Sequence, residues 1–435
     1  MSLTLRWNTA MWKRVTKSFL SSLRWLLPGM RVKRYLLIAA LGMLLMFVGV
    51  AQLSWQGVVL NWVLNIALLN SKIGLPLWIT GTLFLLMGAL VFLAGMRAMN
   101  RSILSAITDP DDVPKQVWRK RRLELGPRVV ALGGGTGLSN LLSGLKRHTA
   151  NLTGVVAVTD DGGSTGRLRQ SFDVPAVGDL TDCLAALSEV ERMPQLMKYR
   201  FRRGDELMGH TFGNLLLVSL FELTGDFAEA VRMADRVLAL SGSVYPSTPH
   251  PARLVAELEN GERISGETKI RESSGAVKRV WLDPANPAIM PEVARAVDEA
   301  RLLVLGPGSL YTSVIPSFLP PRLRQAIKDS QARLVYIVNI MTEPGESDGM
   351  DAYGHYLAVA SHLGRRPDVV VAHTHKLPPR SLAHYARQGQ FPVALDPQPF
   401  EKDGVQLLSG DFAQAGELIR HDPRKLARAL IGLTR

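Results

Sequence analysis

Cysteine is nearly missing from this 435-residue chain: Cys183 stands alone. One thiol excludes an internal disulfide and fits a reducing compartment. Set in "LTDCLAAL", it reads as a small packed hydrophobe rather than a nucleophile. Acidic residues are scarce at the start. Residues 1–128 hold 17 Lys and Arg against Asp109, Asp111, Asp112 and Glu124 only, whereas the remainder balances 34 basic against 34 acidic residues. The formal net charge of +13 therefore belongs to the first third. The rest is neutral and carries no basic groove interleaved with aromatics, so no nucleic-acid partner is expected. Several cofactor signatures are missing too. Counted from Gly133, the sixth position of a G-x-G-x-x-G pattern is Leu138, and no Gly-Lys-Ser/Thr follows the glycines. This speaks against NAD and against a P-loop. His373 and His375 lie two apart with no third ligand nearby, so neither zinc nor haem is expected.

Two runs lack charge altogether. "YLLIAALGMLLMFVGVAQL" (35–53) and "PLWITGTLFLLMGALVFLAG" (76–95) are each long enough, as helices, to cross a hydrocarbon core of about 30 Å. Residues 1–34 carry eight basic residues and no acid, and Arg97, Arg101, Lys115 and Arg119 to Arg122 follow the second run, while the connecting loop 54–75 offers only Lys72. Basic flanks stay inside, which predicts a cytoplasmic basic segment (1–34) and a transmembrane hairpin (35–97). A linker (98–127) and a cytoplasmic domain (128–435) follow. Trp55 and Trp62 suit an interfacial position in the outer loop. With no ionisable residue inside either span, the hairpin reads as an anchor in the cell membrane.

From Arg128 onward, apolar runs of strand length (128–132, 154–159, 301–306, 332–340, 368–373) alternate with helical stretches. This predicts a Rossmann-like, doubly wound, mostly parallel α/β sheet, which binds ligands at the C-terminal ends of its strands. Residues 245–285 depart from the alternation. Their Asn260-Gly261 pair between alternating runs predicts an inserted β-hairpin flap.

The polar residues gather at strand ends. In "VVALGGGTGLSNLL" a strand turns through Gly133, Gly134, Gly135, Thr136 and Gly137 into a helix near Ser139, a place where backbone N–H groups can hold an anion. "VTDDGGSTGRLR" offers Asp160 and Asp161 as ligands for a divalent cation such as Mg2+, then Gly162, Gly163, Ser164, Arg167 and Arg169 around a phosphate. "LGPGSLYTSVIP" places Gly306, Gly308 and Ser309 in a second anion-holding turn, and "NIMTEPGESDG" presents Asn339, Thr342, Glu343 and Glu346. Between them lie Asp179, which could cap the helix it begins, and His210 and Asn214, four apart and on one face if Gly209 opens a helix. No Ser-His-Asp spacing is discernible, and Ser309 has no assignable base.

"GGGTGLSNLLSGLK", "VTDDGGSTGRLR", "GDLTDCLAAL", "GHTFGNLLL", "LGPGSLYTSVIP" and "NIMTEPGE" resemble the bacterial gluconeogenesis factor family, a branch of the 2-phospho-L-lactate transferase superfamily. The resemblance covers about 128–435 and leaves out residues 1–127. It implies a Rossmann-like domain that binds a nucleotide diphosphate compound. For the gluconeogenesis-factor branch this means UDP-sugars, UDP-N-acetylglucosamine among them, in support of cell shape and envelope homeostasis on gluconeogenic carbon sources. For the transferase branch it means magnesium-dependent transfer of a phospholactyl-type group from a guanosine diphosphate donor to a deazaflavin. By resemblance, Gly133 to Ser139 meet the diphosphate, Gly306 to Ser309 complete its cradle, and Asp160 and Asp161 match the acidic pair by acceptor and metal. The "TDDGG" turn departs from the Asn-Thr-Gly-Asp type of the transferases. Two expectations follow: a membrane-tethered UDP-sugar-binding regulator acting through an envelope or metabolic protein partner, or a magnesium-dependent transferase with catalytic Asp160 or Asp161. Self-association into a homo-oligomer is compatible with both.

Overall fold

The computed structural model describes residues 33–53, 76–104, 113–273, 275–414 and 418–434. They fall into two units, Met1–Arg119 and Lys120–Arg435. Most of the basic segment, the loop 54–75 with Trp55 and Trp62, and residues 105–112 of the expected linker lie outside the described residues.

In the first unit, helices Lys33–Leu53 and Leu77–Leu104 each contain a long apolar stretch. The second helix continues past the expected end at 95, so residues 98–104 extend the helix rather than begin a linker. A Cβ on Gly42 would lie 2.4 Å from Phe92 N, and one on Gly88 2.5 Å from Met46 N. The two backbones thus approach as only small residues allow, a mode of packing used where no hydrophobic drive separates helix from lipid. Leu37, Leu44, Phe47, Leu90 and Leu93 face outward, exposed. Both helices have the length and composition to cross a membrane.

The second unit is built on a seven-stranded parallel sheet. Its strands in chain order are β1 (Val129–Gly133), β2 (Leu152–Val156), β3 (Ser243–Pro246), β7 (Leu302–Leu305), β8 (Arg333–Ile337), β9 (Val369–His373) and β10 (Gln406–Gly410). Their spatial order is β10-β9-β8-β7-β1-β2-β3. β1 pairs with β2 from Val129↔Leu152 and with β7 from Val129↔Leu302. Successive side chains point to opposite faces. Val129 and Ala131 join one core with Leu138, Leu142, Leu180 and Leu184, whereas Val130 and Leu132 join another with Phe318, Tyr356 and Phe400. Burial on both faces is why the central strands read as unbroken Val/Leu runs.

The remaining strands, β4 (Arg253–Leu258), β5 (Arg263–Ser265) and β6 (Val277–Asp283), form an antiparallel sheet of order β5-β4-β6. Gly261, at φ +85, turns the hairpin as the Asn-Gly pair predicts. The flap begins later than expected, because Tyr245 and Pro246 belong to edge strand β3 of the main sheet. A short helix, Glu267–Glu272, lies between β5 and β6 and carries flap residues toward the end of β2.

Candidate functional site

In the main sheet the chain winds from β1 to β2 and β3 on one side and from β7 outward on the other. The crevice at this switch point, between the C-terminal ends of β1 and β7, is where such sheets bind ligands. A cleft of about 310 Å3 lies there, lined by Gly134 to Gly137 and Asn140 from the first turn and Pro307 to Ser309 and Ser313 from the second. Asn339, Glu343, Tyr385, Gln390, Arg420 and His421 complete it. The two glycine turns press against each other: a Cβ on Gly137 would lie 2.4 Å from the Pro307 carbonyl oxygen. Gly133 closes β1 beside Gly306, and Gly308 N–H donates to Asn339 Oδ1 at 3.3 Å.

The helix Gly135–Leu145 opens with Gly135 at φ +60. Its N–H already has an anion-type partner within the protein: Asp179 Oδ2 accepts from it at 2.6 Å. The expected local cap at Asp179 is thus corrected, since its carboxyl serves the helix after β1 and makes no cap bond to its own helix Gly178–Leu187. Burial, reinforced by Asp160, pushes the Asp179 carboxyl up to about 7. Glu267 from the flap is pushed up to about 9 by burial, then by Asp160 and Asp179. Three recessed carboxyls therefore crowd one another beside the cleft. Glu343 and Glu346 are also raised, by burial first; Glu346 accepts from Tyr311 N–H, Thr312 N–H and Thr312 Oγ1.

Several expected roles change in three dimensions. Asp161 turns away from Asp160 and accepts from Thr268 N–H and Oγ1 at 3.0 and 2.7 Å, tying the flap helix to the end of β2. Asp160 Oδ1 accepts from Gly162 N–H, which precedes the helix Gly163–Phe172. Arg169 is spent on backbone carbonyls of Thr159, Asp160 and Ala252, so it braces loops rather than meeting a phosphate. Ser139 is buried and donates to Thr136 O along its own helix. Thr342 pairs with Phe391 through both N–H and hydroxyl and does not line the cleft. Among the described residues, no three His, Cys, Asp or Glu side chains converge closely enough for a metal ion.

Ser164, His210 and Asn214 meet in a buried network. His210 Nδ1 lies 2.8 Å from Ser164 Oγ, Asn214 Nδ2 donates to the same oxygen at 3.2 Å, and Thr181 Oγ1 donates to Asn214 Oδ1. Arg167 Nε donates to His210 Nε2 at 3.4 Å, which leaves the imidazole proton on Nδ1, facing Ser164. Burial and Arg167 lower the His210 pKa, so the ring is neutral. A histidine that donates to Ser164 does not take its proton. In this arrangement the pair ties the turn after β2 to the helix Phe212–Thr224.

Residues 129–413 match the profile of the 2-phospho-L-lactate transferase CofD family. The chain belongs to this family. It is 41% identical over 306 residues to the gluconeogenesis factor of Halalkalibacterium halodurans, covering 70% of this chain and 95% of that protein. It is 38% identical to the gluconeogenesis factor of Bacillus subtilis, covering 71% and 98%. A gluconeogenesis-factor relative from Deinococcus radiodurans, 40% identical, aligns over 94% of this chain and 89% of its own. The solved structure of a UPF0052-family protein from Bacillus halodurans superposes with a TM-score of 0.68 at 40% identity, covering 70% of this chain and 99% of that one. The α/β domain thus exists elsewhere as a chain by itself. The six loops quoted from the sequence all lie within the residues that match the family.

Proposed function

We propose that the chain is a membrane-anchored cytoplasmic regulator whose α/β domain binds a UDP-sugar, UDP-N-acetylglucosamine for instance, in support of cell shape and envelope homeostasis during growth on gluconeogenic carbon. The observation that carries this reading is the cleft at the switch point, where two glycine turns packed on each other line a space of about 310 Å3, roomy enough for a diphosphate. Asn140, Asn339, Gln390 and Arg420 supply hydrogen-bonding groups for a sugar or base. Anchoring follows from two apolar helices and the Lys/Arg excess on their flanks.

The runner-up reading is a magnesium-dependent transferase. One feature favours it: the Asp160 carboxylate raises the pKa of both Asp179 and Glu267, and a hard divalent cation would relieve that repulsion. The donors suit Mg2+ in charge, and Asp160 and Asp179 would hold it with the ligand's phosphate oxygens completing the shell. Asp161, committed to Thr268, would stand outside it.

Titration calorimetry of Lys120–Arg435 with UDP-N-acetylglucosamine, with and without magnesium, tests both readings. Saturable binding with the ligand recovered unchanged is expected, weakened about fivefold in Asn339→Ala, the scale of one hydrogen bond between neutral groups. Cleaved ligand would turn the reading to the transferase. No binding would remove the UDP-sugar.

A further inference from the structure

A second groove, of about 720 Å3, runs along β6 and shares no lining residue with the cleft. Arg263, Lys278, Arg279 and Arg324 line it with Trp281 and His362. Strand register sets Arg263, Glu257 and Arg279 in one row, with Trp281 one step along on the same face. Glu257 is the acid in this cluster, and it is shared: Arg279 lies at 2.7 Å, Lys278 at 3.6 Å and Arg263 at 4.0 Å. Arg324 has no acidic partner among the described residues. His362 adds no charge, because it accepts from Val280 N–H through Nε2 and faces Ala358 O through Nδ1, and burial lowers its pKa. Four cations thus face one carboxylate.

The guanidinium groups of Arg263 and Arg279 lie 5.8 and 5.5 Å from the Trp281 ring centre. An indole covered in this way is poorly placed to stack a base, whereas the N–H edges of the guanidiniums remain open to carboxylates. Arg and Trp clustered in a long open groove are the composition of a protein-recognition hot spot, here with an unbalanced positive charge. We propose that this groove docks an acidic peptide segment of a partner protein. The assignment goes beyond the cleft's ligand and does not depend on which nucleotide the cleft holds.

Trp281 is the sole tryptophan after Trp118, so the emission of Lys120–Arg435 reports on this groove alone. The probe is an acetylated Glu-Asp-Glu-Leu-Glu-Asp-Glu-Leu peptide, compared with its Gln/Asn counterpart and with inorganic pyrophosphate. The acidic peptide is expected to change Trp281 emission saturably, with an affinity that falls as salt rises. Affinity should drop at least tenfold in Arg279→Glu and in Arg324→Glu. The second variant leaves the Glu257 ion pairs intact and so separates lost recognition from a damaged sheet. Equal binding of the neutral peptide, or no loss in Arg324→Glu, would overturn the proposal. Pyrophosphate binding as tightly as the peptide and displacing it would also do so, since the groove would then be a small-anion pocket. A second copy of the chain as the occupant would show as concentration-dependent Trp281 emission without peptide, and would equally overturn it.

Discussion

The glycine turns after β1 and β2 look alike in sequence, yet they do different work. "GGGTG" opens on the switch-point cleft, packs against the Pro307 turn and shares that cleft with Asn339, Gln390 and Arg420. "DDGGSTG" sits one strand away, under the flap, with its carboxylates turned to Gly162 and Thr268 and its arginines to backbone carbonyls and His210. Strand order, not glycine content, separates a turn that opens on the cleft from a bracing turn, because of the two only the β1 turn borders the crevice where neighbouring helices diverge. Asp179 joins the two: its carboxyl reaches the first turn while Asp160 of the second raises its pKa.

The largest effect should come from that link. Asp179 has its pKa raised from 3.8 to about 7, so the folded domain holds a proton there that the unfolded chain releases. Its ionisation opposes folding progressively as pH rises from about 4 through 7. Asp179→Asn keeps an acceptor for Gly135 N–H and removes the ionisation. Urea unfolding of Lys120–Arg435 should show little change at pH 4 and a gain approaching about 4 kcal/mol at pH 8. An equal effect at both values would show that the carboxyl is not crowded as described. Next, Gly137→Ala should cost about 3 kcal/mol, because its Cβ meets the Pro307 carbonyl at 2.4 Å. Gly163→Ala on the bracing turn meets nothing within 4 Å and should cost only about 1 kcal/mol, for its φ of +48. Thermal melts of the two variants that ranked in the reverse order would break the comparison. Smallest, Asp161→Ala should loosen the flap by about 1 kcal/mol, seen as faster hydrogen exchange across 266–272, with ligand affinity in the cleft unchanged.

Much of this architecture was legible in the chain. Val- and Leu-rich runs located β1, β2, β7, β8 and β9 because burial on both faces leaves no polar alternation. β3, "SVYP", and β10, "QLLSG", escaped notice as short sheet edges without that signature. The helix Gly163–Phe172 is polar and glycine-rich, so propensity argues against it, and its buried face against Val174 and Leu180 decides otherwise. At the site, the glycine turns announced themselves through local composition. Tyr385, Gln390, Arg420, His421 and Glu267 carry no motif and reach the site only through long-range folding. Asp179 was noticed, but its partner Gly135 is 44 residues away, a distance no local pattern encodes.

The cleft also has an unusual builder. Pro423 lies so close to Gly144 that a Cβ there would sit 2.1 Å from its carbonyl oxygen, and Arg420, His421, Pro423 and Leu426 wall the same cavity as the first glycine turn. The helix Pro423–Gly432 therefore acts as a clasp fastened onto the helix that follows β1. A ligand touching this wall therefore holds the clasp in place by mass action, as well as filling the space between the two glycine turns and the C-terminal helix.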